Sequence, residues 1–133
     1  MKAFEIAELL EKYSPAKYAC DWDNVGMNVG RADNEVGRIL VCLDIDDGAV
    51  EAAVERGADM IVSHHPLIFH GLKKINDGDF VARRVLTLAE NRINAFCMHT
   101  NFDSTHMGAA AADRLGLKEA RVLEEVLDGR ASV

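Results

Sequence analysis

The stretch ADMIVSHHPLIF, residues 58–69, sets a short apolar run directly before two imidazoles and a proline. Ala58 to Ser63 has the composition of a strand covered on both faces in a parallel sheet. His64 and His65 then fall where the chain turns out of the core, and Pro66 biases His65 toward extended backbone. In extended geometry neighbouring side chains point to opposite sides. The pair therefore suits two metals, or a metal and a substrate, better than chelation of one ion. A pair of hydrogen-bonded strand-end histidines is the other reading, and spacing alone does not separate the two.

The same pattern extends in both directions. Arg38 to Asp44 (RILVCLD) is a second apolar run, expected to be a strand buried on both faces. Asp47 is placed to cap a helix through Ala49, Ala52, Ala53 and Val54 that ends at Gly57. After His65 a loop of about fifteen residues precedes a helix from Asp79 to Asn91, a strand over Ile93 to Met98, and a helix closing at Gly116. Phe4, Ile6, Ala7, Leu10 and Tyr13 recur near helical spacing and Pro15 bars continuation, which predicts a first helix over residues 3–13. The order predicts one α/β domain, residues 1–133, with a mostly parallel sheet flanked by helices.

Ligands of open α/β sheets gather beyond the carboxyl ends of the strands. Here those ends carry Asp44 and Asp46, then His64 and His65, then His99, Asn101 and Asp103. His64, His65 and Asp103 are the candidate metal ligands. Imidazole nitrogen with carboxylate oxygen suits zinc, manganese, iron or nickel better than calcium or magnesium. Asp44 and Asp46 read as outer carboxylates holding imidazole N–H groups or as helix caps. Thr100 and Asn101 orient ligands in one reading and hold their loop in the other, which their turn-forming chemistry favours. Trp22, within DWDNVG (residues 21–26), reads as a pocket wall or as a buried anchor, and packing mass favours the anchor. His70 and His106 lie in loops near the predicted crevice, where a lone histidine is usually solvated, and take no assigned role.

Charge and composition remove other classes. A net charge of -7, with 15 Lys and Arg that form no run, argues against nucleic acid as a partner. Glu5, Glu8, Glu11 and Lys12 interrupt the apolar N-terminus, and no stretch approaches a membrane span, so the expected location is the cytoplasm. Cys20, Cys42 and Cys97 are odd in number and far apart, and read as reduced, buried and structural. Neither a Gly-rich phosphate loop nor a Ser nucleophile elbow occurs, which favours a metal mechanism.

Four motifs stand together in order and spacing: WDNVGMNVG (residues 22–30), LDI (residues 43–45), ADMIVSHHPLIF (residues 58–69) and HTNFD (residues 99–103). In these the chain resembles the Nif-three-like family, whose members bear the name GTP cyclohydrolase 1 type 2. The resemblance implies an α/β fold, a dinuclear metal site in a cleft, a small-molecule substrate such as GTP, and homo-oligomers, hexameric rings in that family. It makes His64 and His65 ligands of different metals, gives Asp103 to the metal of His65, and sets His99 close by. Two departures accompany it. Family members are longer, with a further His and Glu ligand in a C-terminal half that this chain does not contain. Gly108 is followed by Ala109 to Ala112, where the family has small and polar residues. The expectation is a metal-dependent hydrolase acting on a nucleotide or related cyclic amidine. The alternative is a non-catalytic metal-binding or interaction module, and a fragment or short form that needs a partner is the third possibility.

Overall fold

A computed structural model describes residues 1–121, 125–126 and 130–131. Helix α1 (Ala3–Tyr13) opens the chain, followed by strands β1 (Gly26–Val29) and β2 (Ile39–Cys42). Helix α2 (Asp47–Glu55), β3 (Met60–Ser63), α3 (Phe80–Glu90) and β4 (Asn94–Cys97) come next. The chain then coils through α4 (Thr100–Phe102), a π-helical turn (Asp103–Met107) and α5 (Gly108–Leu115), and a small antiparallel pair joins β5 (Glu125–Val126) to β6 (Arg130–Ala131). The main sheet has the order β1-β4-β3-β2. No helix among the described residues is long and apolar enough to cross a membrane.

The expected α/β architecture is present, and β2, β3 and β4 run parallel in continuous register, with Val41 beside Val62 and Val62 beside Phe96. Strand β1 was not anticipated, and it is antiparallel to β4. Its four residues are bracketed by turn formers, and its ladder is broken by an irregularity between Met27 and Val29, so no clean alternation marks it in the sequence. The sheet buries two apolar sets. Ile61, Ala95 and Val29 face α2 and α3, packing on Val50, Ala53, Val85 and Leu88. Met60, with Met27 and Val62 beside it, meets Ala3 and Ile6 of α1.

The expectation of a doubly covered β2 is corrected. Leu40 and Cys42 pack against the α2–α3 side, but Ile39 is 43% and Val41 77% exposed. As the edge strand, β2 is covered on one face only, so its run of apolar residues marks one buried and one open row. The helix cap is also corrected. Asp46 rather than Asp47 caps α2, accepting from Ala49 N at 2.7 Å. Asp47 instead ties α2 to α3 through Arg84 Nε at 2.6 Å.

Asp59 fastens the entry of β2 to that of β3. Its Oδ2 accepts from the N–H of Gly37 at 2.9 Å and of Arg38 at 2.8 Å. These backbone donors, with the charge of Arg38, hold its carboxyl below the ordinary range against the opposing effect of burial. A carboxyl lowered in the folded state stabilises above its unfolded pKa, and that contribution is lost as pH falls through the folded value. Asp59→Ala is therefore expected to cost about 1 kcal/mol near neutral pH, discounted for exposure. Denaturant unfolding should show the gap closing in acid below the carboxylate range; a gap independent of pH would contradict the assignment.

Candidate metal centre

The backbone delivers the two adjacent histidines before any side-chain chemistry begins. Beyond β3 the chain bends at His64 and His65, with His64 N donating to Cys42 O at 3.2 Å and His65 N to Leu43 O at 2.9 Å, so the two rings lie side by side, contrary to the opposite sides expected of extended backbone. Met98 N donates to Ser63 O at 3.0 Å, which carries the end of β4 to the same level and sets His99 beside them. Asp103 N then donates to His99 O at 3.0 Å, so the four-residue spacing in HTNFD becomes one helical turn. The three rings lie 5.0, 5.2 and 5.4 Å apart, centroid to centroid.

Each imidazole is held at Nδ1. That atom of His64 donates to Met98 O at 3.0 Å, that of His65 to Asp44 Oδ1 at 2.7 Å, and that of His99 to Asp23 Oδ1 at 3.0 Å. Carbonyl and carboxylate oxygens only accept, so Nδ1 carries the proton in all three neutral rings, and each Nε2 lone pair is left as a donor atom. One ring nitrogen from each histidine lies within 4.8 Å of those of the other two. Asp103 Oδ1 adds a carboxylate 3.5 Å from His64 Nε2. This is a nitrogen and oxygen donor set with its outer shell already in place, which fits a borderline divalent cation.

Asp23 is the residue that sequence reasoning missed, because it reaches His99 across 76 positions of chain. Its side chain is wholly covered. Burial pushes its carboxyl up, but hydrogen bonds from the Thr100 hydroxyl, His99 and the backbone of Thr100 and Asn24 outweigh this, and its pKa lies below the ordinary value. Thr100 and Asn101 hold the loop, as favoured: Thr100 braces Asp23 and accepts from Cys20 N at 2.9 Å, while Asn101 Nδ2 donates to Ser14 O at 2.7 Å.

Three other expectations change. Trp22 is 60% exposed, edge-on to Phe69 at 5.8 Å and to His99 at 6.1 Å, so it walls the site instead of anchoring a loop from within. The loop is anchored by the asparagines around it: Asn24 Nδ2 donates to Ile68 O, and Asn28 Oδ1 accepts from Ile68 N. His106 is engaged, with Nε2 2.7 Å from Tyr13 O and its ring stacked on Tyr13 at 4.0 Å. Cys20 is exposed, unlike Cys97. Burial and the charge of Asp23 push the Cys97 thiol up to about 12, so it stays protonated and structural at neutral pH.

The sequence profile of the family described as Duf34/NIF3 (NGG1p interacting factor 3) matches residues 1–131. A Staphylococcus epidermidis protein named GTP cyclohydrolase 1 type 2 homolog is 36% identical over 125 residues, covering 92% of this chain and 34% of that protein. The Helicobacter pylori protein named GTP cyclohydrolase 1 type 2 is 39% identical over 103 residues, covering 77% of this chain and 42% of the relative. The crystal structure of a Bacillus cereus protein related to NIF3 superposes with a TM-score of 0.88 at 30% identity, over 96% of this chain and 35% of that one. The chain thus spans between a third and a half of the length of these relatives.

Proposed function

The chain belongs to the Duf34/NIF3 (NGG1p interacting factor 3) family, and from that premise we propose that it is a divalent-metal protein built for hydrolysis, with a nucleotide or related cyclic amidine as substrate. The supporting observation is the convergence of His64, His65 and His99, each fixed through Nδ1, with Asp103 alongside. His64, His65 and Asp103 would hold divalent metal, two ions with one histidine on each in the dinuclear form, and zinc, manganese, iron or nickel by donor type. When bound, the cation supplies Lewis acidity toward an electrophilic carbon.

The remaining chemistry belongs to the side chains. His99 Nε2 is a free acceptor, so it takes the proton from an attacking water, and Asp23 behind Nδ1 stabilises the imidazolium that results. Trp22 and Phe69 set apolar surface beside this pair and limit water at the reacting carbon. Self-association and a cytoplasmic setting belong to the same proposal.

A second reading, a metal-binding or interaction module without turnover, rests on the same cluster, which would hold a cation whether or not a substrate follows. Elemental analysis of the purified protein, followed by assay of the metal-loaded form on GTP and on simple cyclic amidines, separates the two. Bound metal with turnover supports the hydrolase, and bound metal without turnover leaves the module. Protein that binds none of the four metals would defeat the hydrolase and leave only an interaction module.

A further inference from the structure

A cavity of about 860 Å³ opens beside the cluster, with Asp44 and His65 on its rim. That volume suits a small organic molecule. Its apolar wall includes Leu67, Phe69 and Phe80, and the two aromatic side chains are 44% and 57% exposed. Such rings offer flat apolar surface to a ligand body.

The charges around the cavity are not equivalent. Asp46 and Asp79 line it, but each faces the positive end of a helix, capping α2 through Ala49 N at 2.7 Å and α3 through Ala82 N at 2.9 Å. Asp44 is set against His65. Arg84 is held by Asp47. Lys73 and Lys74, also on the lining, are adjacent exposed cations that pair with no acid among the described residues. In a chain of net charge -7, two unpaired ammonium groups on one ligand-sized cavity are a local exception.

We propose that this cavity binds a small organic phosphate, its apolar body against Phe69 and Phe80 and its phosphate at Lys73 and Lys74. A phosphate monoester carries between one and two negative charges near neutral pH, which matches a pair of point-charge donors better than a single carboxylate would. A ligand so held reaches the rim at His65, so the lysines select for the anionic end while the cluster meets the other. The binding step stands without the hydrolase reading; only the fate of the bound ligand rests on it.

Isothermal titration of phenyl phosphate into the purified chain, with and without EDTA, tests the proposal, and phenol serves as the uncharged control. Phenyl phosphate is expected to bind in both conditions, at least about tenfold more tightly than phenol. The Lys73→Gln/Lys74→Gln variant should fall to the phenol level, and Lys73→Arg/Lys74→Arg should keep most of the affinity. Both sites are exposed, and circular dichroism confirms the fold. Absence of binding, full affinity in the double Gln variant, or binding that disappears with EDTA would each overturn the proposal. A chain that retains no metal yet binds phenyl phosphate through the lysines would defeat the proposed hydrolysis alone.

Discussion

Replacing His64 and His65 together by alanine is expected to lower zinc or manganese affinity by on the order of a thousandfold or more while leaving the fold intact. The loss of one outer hydrogen-bonding partner of a metal ligand costs roughly 10–100-fold, and removal of two donors exceeds that. The fold survives because the backbone N–H groups of both residues, rather than their rings, make the bonds to Cys42 O and Leu43 O. Alanine keeps those bonds, and the side chain of His65 is 45% exposed, so little packing is lost. Asp44→Asn gives the graded control. The amide can still accept from His65 Nδ1, but it loses the charge that fixes that ring, and a 10–100-fold loss is expected. Competition with a chromogenic chelator measures both. Equal affinity in all three proteins would show that the cluster is not where metal binds.

The second large effect lies far from the cluster, at Gly30. Its φ of +119° is one that side-chain-bearing residues rarely adopt. A Cβ there would sit 2.5 Å from Asn94 Cγ and 2.7 and 2.8 Å from its amide oxygen and nitrogen. Asn94 cannot step aside, because it is fully buried and every end of its amide is committed. Its nitrogen donates to Arg31 O at 2.8 Å, and its oxygen accepts from Asn34 Nδ2 at 2.7 Å. Gly30→Ala therefore combines backbone strain with a clash in a polar core, and about 3 kcal/mol or more is expected. The melting temperature should fall by about 10 °C. A fall of less than about 2 °C would mean that the loop after β1 relaxes freely.

What the chain discloses by itself follows the length scale of each interaction. The strands β2, β3 and β4 and the helices between them were legible because their signals are local: apolar runs, a capping aspartate, a glycine after the last turn. Gly116 does end α5 in the left-handed conformation that its position suggests. The histidines were legible because strand ends are where such sheets place chemistry. Three features escaped. Strand β1 pairs with β4 across most of the chain, and nothing within Gly26 to Val29 declares it. Asp23 looks like one turn residue among several until the fold sets it behind His99. The exposure of Trp22 depends on where Phe69 and His99 sit, which its neighbours in sequence do not encode.

The place of β2 at the sheet edge divides the cluster in its dynamics. The backbone of both His64 and His65 reaches the β2 edge, through Cys42 O and Leu43 O, but the ring partners differ: His65 takes its orientation from Asp44 just beyond β2, whereas the rings of His64 and His99 are held by Met98 O and Asp23. Edge strands open locally at lower free energy than the strands they flank. Amide exchange in native protein should therefore be faster along Ile39–Cys42 than along β3 or β4. Each such opening breaks the backbone bonds of both His64 and His65 to this edge and takes Asp44 from the His65 ring, while the His64 ring keeps Met98 O and the His99 ring keeps Asp23, giving the centre one hinged jaw and one fixed jaw.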